Sequence, residues 1–494
     1  MQEARSGAGT VWAIALAAVA FRLLLFLGLD LYADEAYYWM WSRRPAAGYF
    51  DHPPMVAWLI RVSTTVLQGE LGVRFLFLAC GGLAVWIAAG IARELSDDPR
   101  APVLAALLTA ASPVLALTGG LALPDAPVVA AYAGGTWLVA RARGRGWLAA
   151  GVVVGLALLS KYTAALLAPA LLLLVLLDPE LRRELRTPWP WLGGAVAVLL
   201  FLPNLLWNAQ HGWIAVLFQI RHGLGSEFTV QKALEFVGGL WGGAGIVALP
   251  LGVARLLRGR GSAAVRVAAA TLVPLAVTAW SATRGPVEAN WAALSYPAIC
   301  AAAAVALAGY RPAWRRGLAV ASVAVTLLAG AFVGWQIRYP TLVPTDSEMV
   351  KRFQGWRRYA AAARESVARA CAGIGAPAGC DPADPFVFPD SYQVAAQLAY
   401  YGGWTRFGPA SERPSQLDLW ARAPRPGEPV VTVGVIPEAK RLFRASGPSA
   451  AVSEAIPLRG VLLHEVRVEA FRSFEAEVPR RGTDLPYLKD AYPR

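Results

Sequence analysis

Residues 32–39 read Tyr32-Ala-Asp-Glu-Ala-Tyr-Tyr-Trp39, and residues 48–54 read Gly48-Tyr-Phe-Asp-His-Pro-Pro54. An apolar run at 11–29 precedes them, and another begins near residue 72. Carboxylates set among aromatic rings beside long apolar runs are costly unless solvated, paired or used. The stretch therefore reads as a membrane-proximal loop that carries chemistry, with Asp34 as the first candidate.

The rest of the chain supports a membrane setting. It is 56% hydrophobic and 16% charged, with a mean hydropathy of +0.45. Those values exclude an ordinary soluble protein and a disordered one. The apolar runs lack β-barrel alternation, which leaves helices that satisfy their own backbone. Eleven spans are expected, at roughly 11–29, 72–92, 102–118, 127–140, 147–160, 162–177, 190–206, 235–254, 267–282, 291–309 and 317–336. Several fall short of the ~20 residues a straight span needs. Only Ser160-Lys-Tyr162 separates the fifth from the sixth.

The formal net charge is +13, with 46 Lys and Arg against 33 Asp and Glu. This excess does not read as a nucleic-acid signal, because much of the Arg lies in short loops between apolar runs. Arg93 and Arg100 share one such loop, and Arg141, Arg143 and Arg145 the next but one. Arg182, Arg183 and Arg186 follow, then Arg255, Arg258 and Arg260, then Arg311, Arg315 and Arg316. Basic residues in alternate loops predict that those loops are cytoplasmic. The opposite set then faces outward: 30–71, 119–126, 161, 207–234, 283–290 and everything after 336. No cleavage-site pattern precedes the polar loop, so the first run reads as a retained anchor with the N-terminus cytoplasmic.

Residues 35–43 and 54–68 have the character of amphipathic helices lying at an interface. Composition changes near 337. A basic amphipathic helix is expected over 351–372, a strand at Phe386-Val-Phe, a helix over 392–401, and strands over 429–435 and 460–470. The expected fold is thus an all-α polytopic membrane domain, 1–336, carrying a small α/β domain, 337–494, on the outer face. Cys80 and Cys300 lie in apolar runs and read as core. Cys371 and Cys380 lie in the polar part, where a disulfide and two free thiols both stand open.

Several side chains are candidates for chemistry. Asp34 is placed to accept a proton from an attacking hydroxyl, while Glu35 caps or orients. Tyr37 brackets the pair. Asp51 and His52 close the loop, as a cation, sugar or phosphate site or as a hydrogen-bonded turn. Asp125, between two prolines, is a functional carboxylate, a helix cap, or both. Lys161 either snorkels or holds a phosphate. Arg221 and Arg284 are candidate phosphate ligands, since guanidinium matches phosphate oxygens. Trp207, Asn208, Glu288, Asn290 and Trp291 are candidate sugar contacts, with a membrane belt the alternative for the tryptophans. Asp51 with His222 is one option for a divalent cation, though no spacing compels it. No Walker loop, dinucleotide glycine pattern or Ser-His-Asp set occurs, so no nucleotide or redox cofactor is expected.

Together these motifs resemble the GT-C superfamily of polyprenyl-phosphate-dependent glycosyltransferases. The likeness is to the bacterial branch of lipopolysaccharide galacturonosyltransferases, aminoarabinose transferases and protein O-mannosyltransferases. It covers roughly residues 30–300 and rests on Asp34-Glu-Ala-Tyr-Tyr-Trp, Gly48-Tyr-Phe-Asp-His-Pro-Pro-Met, Leu123-Pro-Asp-Ala-Pro, Ser160-Lys-Tyr, Pro203-Asn-Leu-Leu-Trp-Asn and Glu288-Ala-Asn-Trp. The resemblance implies that Asp34 is the catalytic carboxylate and Asp125 the second important one. Asp51-His52 stands where the aminoarabinose enzymes carry Glu-Lys, a departure that puts a direct carry-over of phosphate binding to His52 in question.

The expected activity is inverting transfer of a sugar from a polyprenyl phosphate to a lipid A, envelope glycan, lipid or protein acceptor. It would take place on the periplasmic side of a bacterial inner membrane. Two alternatives stand beside it: a flippase for a lipid-linked sugar, and a ligase using a diphosphate-linked donor.

Overall fold

The computed structural model describes residues 2–224, 230–284, 287–345, 347–375, 380–410, 413–420, 424–425, 427–435 and 450–472. The first apolar run is helix α1 (Gln2–Phe26). The loop after it holds α2 (Ala33–Arg43) and α3 (Met55–Val66). α2 starts where the Glu35 carboxylate accepts the Tyr32 backbone N–H at 2.9 Å. Asp34 and Glu35 also sit in its first turn, where the helix dipole favours negative charge. Pro45 stops it shortly after its end. α3 begins directly after Pro53-Pro54, since proline suits only the first turn of a helix.

The membrane part continues with α4 (Gly69–Leu95), α5 (Ala101–Ala110), α6 (Pro113–Thr118), α7 (Asp125–Arg141) and α8 (Gly146–Ser160). A 3-10 turn (Tyr162–Leu166) leads into α9 (Leu167–Leu177), followed by α10 (Pro179–Glu184), α11 (Trp189–Gln210) and α12 (Ile214–Leu224). α13 (Val230–Ala244), α14 (Ala248–Leu257) and α15 (Ser262–Ala282) come next. A second 3-10 turn (Ala289–Ser295) then runs into α16 (Tyr296–Ala308), before α17 (Pro312–Arg338).

Every expected apolar run is helical, but not all are full-length spans. Among the described residues, six helices are long and apolar enough to cross a bilayer, or up to seven if a bent pair counts as one. That pair is α13 and α14, bent by 91°, with Gly245 at the break supplying a φ of +101° that suits glycine alone. The run at 102–118 breaks at Ser112, whose side chain caps α6 just ahead of Pro113. α8 stops at Ser160, where Lys161 takes an extended backbone.

Small residues set the helix spacing. A Cβ on Gly151 of α8 would lie 2.1 Å from the Gly193 carbonyl of α11, so only glycine permits this contact. At the C-terminal end of α7, Arg266 pairs with Asp178 at 2.6 Å and donates to the Val139 and Ala142 carbonyls. A buried charge pair of this kind is held by its further hydrogen bonds, here the two from Arg266 to backbone carbonyls.

After α17 come α18 (Glu348–Lys351) and α19 (Trp356–Gly373), then β1 (Val387–Pro389), α20 (Tyr392–Gly402), α21 (Gln416–Trp420), β2 (Val430–Val433), β3 (Ala450–Leu458) and β4 (Val461–Phe471). The strand order is β1-β2-β4-β3, with β1 and β2 parallel and the other pairs antiparallel. Arg459 and Gly460 both take positive φ and close the β3–β4 hairpin as a two-residue turn. Cys371 and Cys380 form a disulfide. The core of this region is continuous with the first loop: Tyr37, Trp41 and Tyr49 share one apolar cluster with Val387, Leu398 and Val466. The expected helices and strands are present here. β3 was not expected, because Ser453, Glu454 and Pro457 mask its apolar residues.

Candidate active site

Two carboxylate centres form at the end of the helix bundle where α1 meets α2. The first surrounds Asp34, in the first turn of α2. The Tyr392 hydroxyl, at the start of α20, donates to Asp34 Oδ1 at 3.1 Å. The Arg413 guanidinium lies 4.2 Å over the Tyr392 ring and pairs with Asp51 Oδ1 at 3.0 Å. Tyr37, one turn along α2 from Asp34, donates to Asp51 Oδ2 at 2.8 Å and accepts the Gln416 backbone N–H. The Tyr37 and Tyr392 ring centroids are 4.5 Å apart. Gln219 of α12 holds the Asp51 carbonyl at 2.7 Å. Asp34, Tyr392, Arg413, Asp51 and Tyr37 thus form one polar chain that joins the first loop to the sheet region.

The electrostatics of this chain act on Asp34. Burial pushes the Asp34 carboxyl up to about 6; Tyr392 and Arg413 pull it back, and Asp51 adds repulsion. Burial disfavours the Arg413 cation, but Asp51 and the Tyr392 and Tyr37 hydroxyls outweigh it, so Arg413 stays charged. A carboxylate that is ionised near neutrality yet unusually basic suits a general base.

The second centre surrounds Asp125, buried at the first turn of α7. Lys161 Nζ pairs with Asp125 Oδ1 at 2.9 Å, and Asn290 Nδ2 donates to the same oxygen at 3.2 Å. Beside Lys161, the Tyr162 hydroxyl donates to Asn204 and accepts from Asn208 of α11. Asn204 also reaches back to the Ala47 carbonyl of the first loop at 2.9 Å. There Gly48 lies against Trp207, whose ring atoms a Cβ would approach to 2.5 Å. The Oδ1 atoms of Asn208 and Asn290 are buried without a partner among the described residues.

The catalogue of known proteins points the same way. Residues 51–207 match the dolichyl-phosphate-mannose-protein mannosyltransferase family. A lipid A galacturonosyltransferase of Rhizobium johnstonii is 28% identical over 421 residues, 81% of this chain and 82% of that protein. The crystal structure of ArnT from Cupriavidus metallidurans superposes with a TM-score of 0.65, covering 93% of this chain and 98% of that one at 16% identity. The chain is similar to these transferases in sequence and to ArnT in fold. An undecaprenyl phosphate aminoarabinose arabinosyl transferase of Pseudomonas fluorescens is also 28% identical, over 39% of this chain and 40% of its own length.

The expected site residues separate in the structure. Asp34, Tyr37 and Asp51 come together, as do Asp125, Lys161 and Asn290, with Trp207 and Asn208 next to them. Glu35 is buried and fully engaged: Arg74 grips it with contacts of 2.6 and 2.8 Å, and the Ala122 N–H donates to it at 2.8 Å. That makes Glu35 a clamp between α2, α4 and the loop before α7, with no lone pair turned to a substrate. Lys161 does not snorkel: it commits one N–H to Asp125. Asp51 has Tyr37 and Arg413 on its two oxygens, and the side chain of His222, its expected partner for a cation, lies outside the described residues. Arg221 and Arg284 have exposed side chains, Arg284 resting 5.1 Å over the Trp280 ring. Glu288 is exposed and Trp291 half-buried, and His52 lies 6.0 Å from the Tyr38 ring.

Sequence reasoning missed Tyr392 and Arg413. Both lie more than 350 positions from the carboxylates they address, and nothing in their local sequence marks them.

Proposed function

We propose that this polyprenyl-phosphate-dependent glycosyltransferase moves a sugar from an undecaprenyl-type monophosphate carrier to an anionic glycolipid such as lipid A, with inversion at the anomeric carbon. The observation that carries the reading is Asp34: a carboxylate raised to about 6, hydrogen-bonded to Tyr392, on the same bundle end as the Asp125–Lys161 pair. Asp34 accepts the proton of the acceptor hydroxyl as that oxygen attacks the anomeric carbon. The C–O bond to the carrier breaks on the opposite face, and the phosphate leaves with the electron pair. Lys161 keeps one N–H on Asp125 and offers its remaining N–H groups to the growing phosphate charge. The buried Oδ1 atoms of Asn208 and Asn290 suit sugar hydroxyl donors.

In this reading the eleven apolar segments cross or re-enter a bacterial inner membrane, and the sheet region lies in the periplasm. The Cys371–Cys380 disulfide supports that orientation, since disulfides persist in oxidising compartments. A divalent cation at Asp51 is less favoured, because the Arg413 guanidinium already neutralises that carboxylate.

The test is a transfer assay with purified protein and two donors carrying the same sugar, one on a polyprenyl monophosphate and one on a diphosphate. Turnover of the monophosphate donor alone is expected. Turnover of the diphosphate donor alone would sink the reading in favour of a ligase. For orientation, a maleimide reagent should label Cys371 and Cys380 only after reduction; labelling in unreduced cells would place them in a reducing compartment.

A further inference from the structure

A cavity of about 1160 Å³, separate from both carboxylate centres, lies between the far end of α2 and the sheet region. Small-molecule sites usually measure about 300–1,000 Å³, so this one has room for more than a single sugar ring. Arg43 and Arg44 enter from the end of α2, Arg406 and Arg425 from the sheet region, and Glu428 is the one acidic residue among the described lining. Glu428 is already engaged by Arg406 and by the Arg425 backbone N–H. The cavity is therefore cationic.

Its arginines are also mounted on aromatic rings. Arg44 lies 4.9 Å over Trp420, and Arg43 lies 5.7 Å over Trp39. Trp404, another lining residue, is 1% exposed, and its indole N–H has no acceptor among the described residues. A buried donor left unsatisfied is costly, and a ligand oxygen would relieve it. Guanidinium groups fit the planar oxygen pairs of phosphate and carboxylate, and ring faces fit the C–H faces of sugars.

We propose that this cavity is an acceptor subsite that binds an anionic saccharide, the phosphate- or carboxylate-bearing headgroup of the acceptor glycolipid. The proposal rests on the glycosyltransferase reading above. The link is α2 itself: Asp34 stands near its start and Arg43 at its end, about 13 Å away at ~1.5 Å per residue. A glycan anchored by its anionic group at Arg43 and Arg44 reaches Asp34 with a hydroxyl further along. The cavity thus sets which hydroxyl is glycosylated.

The experiment is calorimetric titration of the full-length protein in detergent. The probes are a bisphosphorylated glucosamine disaccharide, its unphosphorylated parent and a uronic-acid disaccharide. Both anionic probes should bind at least about tenfold more tightly than the parent. Replacing both arginines, Arg44→Ser with Arg425→Ser, should weaken the anionic probes about tenfold, and Trp404→Phe roughly fivefold. If the serine variant melts early, Arg44→Lys with Arg425→Lys replaces it, keeping charge but losing the two-pronged geometry; an intermediate loss is then expected. Equal binding of the parent, or unchanged affinity in the intact arginine variant, overturns the subsite. Competition by phosphatidylglycerol vesicles as strong as that of the disaccharide would assign the arginines to the membrane surface and also overturn it. Asp34→Asn should bind the probes normally without turnover. Lost probe binding with transfer intact would remove the subsite and leave the enzyme reading standing.

Discussion

The two carboxylates of the site are held in opposite ways. Asp125 is matched by a cation on one oxygen, Lys161 at 2.9 Å, with Asn290 in support, all from the helix-bundle part of the chain. Asp34 faces a neutral phenol, Tyr392, with a second carboxylate nearby, and its cation, Arg413, is spent mainly on Asp51. An ion-paired acid such as Asp125 holds its neighbours in place. A half-buried acid with only a hydroxyl donor, its carboxyl raised to about 6, suits a proton acceptor. On the proposed reading the difference separates a positioning carboxylate from a base, and it depends on which part of the protein supplies the partner.

The largest expected effect tests that division directly. Asp34→Asn should lower kcat by roughly a thousandfold, within the range of general-base losses, while leaving donor affinity near wild type. Near-wild-type turnover would move the base elsewhere, with Asp125 next in line.

Lys161→Ala should destabilise the fold by roughly 3–5 kcal/mol, because it leaves a buried Asp125 charge without its partner. Thermal melting in detergent reads this out. Pairing it with Asp125→Asn should restore most of the melting temperature but not the activity. An unchanged melting temperature for Lys161→Ala alone would mean that the pair contributes nothing to the fold.

The pH profile gives a smaller and more pointed test. Asp34 must be ionised to accept a proton, so its raised value near 6 predicts an acid limb there, with kcat falling as the pH drops through it. Arg413→Gln removes a cation that favours the ionised form, so the limb should move to higher pH; a shift downward contradicts the assignment. Tyr392→Phe removes the hydrogen bond that also favours the ionised form. It should move the limb the same way by about half a unit to one unit, about 0.7–1.4 kcal/mol.

Much of this site was legible in the sequence. The loop bearing Asp34 and Asp51, the Pro-Asp-Ala-Pro corner and Ser160-Lys-Tyr stood out because polar groups beside apolar runs are expensive. Their gathering at one end of the bundle followed from alternating loops. Most elements of the sheet region were also legible from local periodicity; the short α18 and α21 were not, nor was β3, whose polar and proline residues hide it. Full-length spans were not all recoverable: Ser112 and Gly245 interrupt runs that composition alone reads as continuous.

What the sequence determined by itself was therefore local: where the chain is helical, which turns carry charge, and which ends of the helices share a face. The tertiary structure alone decided which partner each charge received. It turned Glu35 into a clamp on Arg74, joined Lys161 to Asp125, and brought Tyr392 and Arg413 across more than 350 positions to Asp34 and Asp51. The reason is physical. Helical periodicity is set by neighbours within a few residues, whereas the basicity of a carboxylate is set by whatever lies within a few ångströms, however distant in the chain.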